Sequence, residues 1–141
     1  MAAVKGDVGQ VKFDDDGSSV NPVLGTRSWS MSITKDTQET TVQGDTFKSF
    51  VGGLIEGEGT AELVYDNAAS GETATFVDGV LVTGDAGTAS FELFPDNASG
   101  AAAKKISFNG IITNFEQSSS LGDVNTISIT FKPSGTITSA I

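Results

Sequence analysis

The sequence predicts an all-β fold, mainly antiparallel, built as a sandwich or barrel with one short α-helix and one long inter-strand loop. Three observations carry this. Trp29, Met31 and Ile33 alternate with Ser28, Ser30, Ser32 and Thr34, the period-2 pattern of a strand buried on one face only. Ile127, Ile129 and Phe131 alternate in the same way with Ser128, Thr130 and Lys132. Seventeen glycines punctuate a chain rich in Thr, Ser, Val and Ile, with turn signals roughly every ten residues. At 141 residues the chain is expected to form one domain spanning residues 1–141.

The expected elements run as follows. Residues 1–8 form a flexible arm and 9–13 a short first strand. The turn Asp14-Asp15-Asp16-Gly17-Ser18-Ser19 comes next, where Asp side chains can bond the local backbone. Pro22 restarts the chain, and residues 23–34, 54–65, 87–94, 105–116 and 124–132 are read as strands, with 136–141 as a last one. In "SGETATFVDGVL", Ser70 can cap a helix and Glu72 sits in its first turn, while Phe76/Val80 and Val77/Leu81 are i,i+4 pairs. Gly79 and the β-branched residues hold that helix to about two or three turns. Ile106, Phe108 and Ile112 line one side of a strand broken at Gly110, and the polar link Ser118 to Asp123 folds it back as an antiparallel hairpin. The expected core comprises Trp29, Met31, Ile33, Leu63, Tyr65, Phe91, Phe108, Ile127, Ile129 and Phe131.

Residues 34–53 interrupt the pattern. From Thr34 to Gly44 the only aliphatic residue is Val42, so a long polar loop is expected between two well-patterned strands.

Composition excludes much chemistry. The chain contains no cysteine and no histidine, so disulfides, zinc sites built on those residues, Ser-His-Asp triads and Cys-His pairs are impossible. With 18 acidic and 8 basic residues the formal net charge is -10, a field that repels nucleic acid phosphates. Lys104-Lys105 is the only adjacent basic pair. The opening "MAAVKGDVGQ" lacks the apolar core of a secretory signal and no run approaches a membrane helix, so synthesis in the cytoplasm and no membrane partner are expected.

The remaining motifs are weak. "KFDDDGSS" places Lys12 and Val23 where a calcium loop needs its first and last carboxylates. Gly57-Glu58-Gly59 lacks the third glycine of a nucleotide fingerprint, and Asn97 matches only a bare glycosylation acceptor. In "LIEGEGTAELVYD", Glu56, Glu58 and Glu62 share one strand face. That face is open to four readings: a solvated surface, a cation site, a pair of catalytic acids, or a deliberately negative wall. With one Trp and one Tyr in the chain, nothing marks a sugar cleft. No enzyme activity, cofactor or metal is expected.

The order "SWSMSITKDTQETTVQGDTFKSFVGGLIEGEGTAELVYDNA" resembles the major tail tube proteins of long-tailed bacteriophages and of related gene transfer agents. A Trp-bearing strand runs into a loop with "T-x-D" and "G-D", then a glycine-spaced strand ends in a Tyr-Asp turn before a helix. The later "FNGIITNFEQSSSLGDVNTISITFKPSGTIT" is similar to that family's closing hairpin, with "F-x-G-x-I" and "F-x-x-S-G". The resemblance covers nearly the whole chain. It implies a structural protein of the virion tail that forms homo-hexameric rings stacked into a tube, through which double-stranded DNA passes without specific binding. Tape-measure, tail-tip and tail-terminator proteins are the implied partners. Residues 34–53 would then be an inter-ring loop, with Asp36, Thr40, Thr41, Asp45, Phe47, Phe50 and Val51 as contact candidates, and Glu56, Glu58 and Glu62 would face the lumen. Some family members carry a further immunoglobulin-like domain, and none is expected here. The alternatives are the tube protein of a contractile injection or secretion system, a carbohydrate-binding adhesive β-sandwich, and a carboxylate-only hydrolase.

Overall fold

The computed structural model describes residues 10–14, 21–23, 26–65, 76–95 and 104–140. The expectations for the 1–8 arm, for residues 15–19 of the turn, and for Ser70, Glu72 and Asn97 lie outside these residues, while Asp14, expected to open that turn, is instead the buried last residue of the first strand. Among the described residues seven strands are formed: β1 Gln10–Asp14, β2 Asn21–Pro22, β3 Thr26–Glu39, β4 Phe50–Val64, β5 Ala89–Phe94, β6 Ile106–Ser118 and β7 Thr126–Ser139. They make one sheet in the order β2-β1-β5-β6-β7-β4-β3, and every neighbouring pair is antiparallel. Residues 76–78 form a helical turn that continues as the 3-10 turn Gly79–Leu81.

Alternation decides which side of each strand is buried. In β4, Gly57, Gly59, Ala61 and Leu63 are buried, while Glu58 is exposed and Thr60, Glu62 and Val64 are half-buried. β7 follows suit with Ile127, Ile129 and Phe131. The sheet curls so that its two halves face one another across this apolar side, which is how a single sheet provides both walls of a sandwich. The curl is visible at its edges: the Trp29 Nε1–H on edge strand β3 donates to the Phe94 carbonyl of β5 at 3.3 Å, across the interior rather than along the sheet.

Five phenylalanines fill the space between. Phe91 lies directly opposite Phe108 in the β5–β6 register and stacks on it at 5.1 Å, and also stacks on Phe131 at 5.1 Å. Phe13 of β1 and Phe76 of the helical turn meet edge to face at 5.2 Å and close the cluster from the other side. Rings in these offset and edge contacts gain beyond the area they bury. Two glycines make room. At Gly59 a Cβ would collide with the Phe131 ring, and at Gly110 it would lie 2.6 Å from the Lys132 carbonyl oxygen. The break expected at Gly110 is therefore a close strand approach, accompanied by a register shift between Phe108 and Gly110.

Several expectations are corrected. Ile33 is 44% exposed and Tyr65 is 48% exposed, so neither belongs to the core; Ile33 sits where β3 leaves the body, and Tyr65 follows the last residue of β4. Trp29 and Met31 are partly buried and pack against the core rather than forming its centre. The strands expected at 124–132 and 136–141 are one strand, because β7 resumes its pairing with β6 after the register shift opposite Phe108 and Gly110 and runs on to Ser139, absorbing Pro133 and Gly135 without ending. In the helical turn Phe76 is fully buried but Leu81 is 75% exposed.

The Trp29 bond gives a first testable consequence. Trp29→Phe keeps most of the ring packing but leaves the Phe94 carbonyl without this donor, and is expected to lower stability by about 1 kcal/mol. Urea unfolding of the two proteins measures it; an unchanged midpoint would show that the contact contributes nothing to holding the curled sheet.

Candidate functional site

Residues 34–53 do not form a loop. β3 continues to Glu39 and β4 begins at Phe50, so only residues 40–49 lie outside the ladder and the rest is a projecting β-hairpin. Register explains why it projects. β3 and β4 pair from Thr26↔Leu63 out to Glu39↔Phe50, whereas β7 pairs with β4 only from Gly59↔Phe131 to Val64↔Thr126. Beyond Gly59 the two strands part. β7 stays with β6, and β3–β4 runs on as an arm. Polar residues did not prevent this pairing, because strands exposed on both faces need no apolar alternation to satisfy their backbone.

The apolar side of the sheet continues along the arm without cover. Ile33 pairs with Gly57, Lys35 with Ile55, Thr37 with Gly52 and Glu39 with Phe50, so Ile33, Ile55 and Phe50 extend the face that carries Trp29 and Met31 in the body. These three are 44%, 56% and 57% exposed. Leu54 and Val51 are exposed as well. A register shift between Lys35 and Thr37 adds a bulge midway, which raises local twist. Backbone edges are open too: among the described residues, positions 50–58 have no ladder partner on the β7 side of β4, and β3 pairs only with β4.

The tip is ordered by its own polar groups. Val42 N–H donates to Asp45 Oδ2 at 2.9 Å, Ser49 N–H to Thr41 Oγ1 at 2.9 Å, and Thr40 N–H to the Ser49 carbonyl at 2.8 Å. Thr40, Thr41 and Asp45 thus shape the turn. Phe47 stands out from it at 84% exposure, and Asp36 is exposed along the arm.

The opposite face of the sheet is polar. Glu56, Glu58 and Glu62 lie on it together, with Glu56 and Glu58 exposed and Glu62 within 3.6 Å of Arg27. Besides Arg27, Glu116 and Lys132 lie on this face and were not picked out from the sequence. Glu116 pairs with Ser128, which pairs in turn with Glu62, so β7 sets a fourth carboxylate two strands away. Lys132 shares a shallow depression of about 100 Å³ with Ser32, Thr34, Glu56 and Glu58. Alternation in "ISITFK" and "NFEQ" puts both residues on this side, but only the strand order brings them to the glutamates. Among the described residues no three Asp or Glu side chains converge to hold a metal ion. A separate cleft of about 470 Å³ over β5, β6 and β7 is lined by Ser90, Glu92, Ser107, Asn109, Ser134 and Thr136. Its two phenylalanines, Phe91 and Phe108, are buried in the core, so it offers hydroxyls but no aromatic platform for a sugar.

This architecture, a curled antiparallel sheet with a short helix and a long projecting hairpin, is the fold of tail tube proteins. The chain is similar over 99% of its length to the whole of a chain in the tail of an empty gene transfer agent particle with C6 symmetry, at a TM-score of 0.76 and 16% identity. It is similar over 98% of its length to 79% of a chain of the SPP1 tail tube, at a TM-score of 0.75 and 14% identity. A chain from the sheath/tube terminator of an extracellular contractile injection system is also similar, with 100% and 99% of the two chains covered, a TM-score of 0.72 and 14% identity. No protein-family model and no curated protein matches the sequence.

Proposed function

We propose that this chain is a structural tail tube protein of a phage or phage-like particle. Copies associate into hexameric rings, the rings stack, and double-stranded DNA travels through the lumen. The observation that carries the reading is the arm: an apolar face, continuous with the core, that this chain leaves uncovered on a hairpin with open backbone edges. An isolated protein is at risk from such a surface, whereas a self-assembling one uses it. The end-to-end likeness to tail tube structures supports the same reading. In it the protein has no catalytic role, resides in the virion tail, and meets tape-measure, tip and terminator proteins at the ends of the tube.

Glu56, Glu58 and Glu62, joined by Glu116, are the lumen wall in this reading. A negative wall repels phosphates and spares the moving duplex a binding surface. Lys132 moderates the field without reversing it. Replacing Glu56, Glu58 and Glu62 with Lys leaves the fold nearly intact, because an outward strand face tolerates polar exchange. Particles carrying the three changes are expected to eject DNA slowly in low salt and to recover in high salt, read by fluorescence of released DNA. Ejection at the parental rate in both salts would place the glutamates elsewhere on the tube.

The reading as a whole is tested by negative-stain microscopy of the purified chain over a concentration series. Rings or tubes with sixfold symmetry are expected at high concentration or beside a tail tip. A protein that stays monomeric at millimolar concentration, even when co-expressed with tail-tip components, would overturn it. The likeness to an injection-system chain supports a second reading, a tube inside a contractile sheath; particles purified with a sheath protein around the tube would favour that one.

A further inference from the structure

The arm has a joint midway along its length. Lys35 pairs with Ile55 and Thr37 with Gly52, so Gly53 and Leu54 stand together opposite Asp36, one residue too many on β4. A bulge of this kind bends the strand that carries it, and two adjacent glycines take side chains away from the bend. A Cβ at Gly52 would lie 3.1 Å from the Lys35 side chain, and one at Gly53 3.3 Å from the Asp36 carbonyl oxygen. With hydrogens there instead, little props the joint open.

The apolar side of the arm looks toward a cluster of cations. Trp29 Nε1–H donates to the Phe94 carbonyl at 3.3 Å, so the end of β5 stands over β3 at the level of Trp29, and β1 also lies against β3. Lys12 Nζ and Lys105 Nζ sit 4.9 Å and 5.9 Å from the centre of the Phe94 ring, and Lys104 is exposed beside them. Glu92 takes Lys105 at 3.1 Å. Among the described residues no carboxylate is within ion-pair distance of Lys12 or Lys104. In a chain of net charge -10, these lysines invert the local field. Beyond the joint the arm is acidic, with Asp36, Glu39 and Asp45 against Lys48 alone.

Lengths match as well. Seven residues separate Asp36 from Trp29 and eight separate it from Gly44 at the tip, about 23 and 26 Å of strand. Bent at Asp36 toward its apolar side, the outer half brings its tip back to Trp29 and the lysines. Phe50, paired with Glu39 three positions beyond Asp36, then meets Ile33, three positions before it. Each of these side chains is about half exposed in the extended arm and gains by burial against the other.

We infer that residues 37–52 are a strap that closes on its own chain, with Phe50 laid on Ile33 and Asp45 set against Lys12 and Lys104. The extended arm is its open position. Closed, the strap hides the face that the open arm offers to another copy; that consequence rests on the tube reading, whereas closure belongs to the single chain and is tested there. The absence of cysteine allows spin labels at Thr46→Cys, on the tip, and Ala140→Cys, whose N–H bonds the Lys105 carbonyl. Pulsed dipolar distances are measured on the dilute full-length chain, mixed with unlabelled protein so that only distances within one chain are read. In low salt two distances are expected, one of roughly 50 Å for the extended arm and one less than half of that. High salt should lower the short population severalfold, and so should Lys12→Glu with Lys104→Glu in low salt. Deleting Gly53 restores one-to-one pairing across the joint and should abolish the short distance. Gly52→Val, where an added Cβ meets only the Lys35 side chain, is the second stiffening change, and circular dichroism checks that each variant folds. A single long distance for the parent in both salts overturns the strap and leaves the tube reading standing. A short distance that survives high salt, the lysine changes and the stiffened joint overturns the bulge and the lysines as its cause. A chain that closes as expected but never self-associates overturns the tube reading alone.

Discussion

Phe91→Ala is expected to lower the stability of the isolated chain by about 3 to 5 kcal/mol, the largest effect of any single change considered for the body. Phe91 has no exposed surface. Its ring centroid lies 5.0 Å from Phe13 and 5.1 Å from both Phe108 and Phe131, so it touches three strands at once. Truncation removes the burial of a large ring and leaves a cavity walled by other rings, themselves held by strand pairing and slow to collapse inward. Phe91→Leu, which refills much of the volume, should cost far less, within about 1.5 kcal/mol. Urea unfolding followed by far-UV circular dichroism measures both. A loss below about 1 kcal/mol for the alanine variant would mean that the rings are not packed as a unit.

The second large effect falls on assembly. Replacing Ile33, Phe50 and Ile55 together with Ser strips the uncovered apolar face of the arm. Each side chain is already about half exposed in the single chain, so the body should lose only about 1 to 2 kcal/mol in total. In the proposed ring and stack the same three losses would act at every contact, and the variant is expected to remain monomeric at concentrations where, on that reading, the parent forms tubes. Sedimentation velocity paired with microscopy gives the readout. Undiminished assembly by a folded triple variant would show that the arm is not the adhesive surface. A variant that fails to fold would show instead that the face is covered within the chain, contrary to the exposures of these residues.

Much of this was legible in the sequence, and particular residues show why. Period-2 alternation identified the buried sides of β4 and β7, because successive residues of a strand must point to opposite faces whatever lies beyond them. Leu63, Phe108, Ile127, Ile129 and Phe131 are buried as expected. Glu56, Glu58 and Glu62 share a face for the same reason. The absence of Cys and His removed whole classes of chemistry by elimination. The order of motifs pointed to the tail tube fold that the structure shows.

Tertiary structure alone decided the rest. Local pattern states which side of a strand is apolar but not where the partner strand stops, and the arm exists because β7 leaves β4 at Gly59. Ile33 obeys the alternation of Trp29 and Met31, yet lies exposed because no opposing wall reaches that far. Residues 34–39 read as loop because strand signals rest on burial, and a hairpin solvated on both faces satisfies its hydrogen bonds without any. Lys132 and Glu116 join the acidic face only through the strand order β6-β7-β4, a non-local pairing that no window of sequence contains. Composition and periodicity are properties of the chain taken a few residues at a time; which apolar residues are covered, and which are left exposed, depends on where distant strands end.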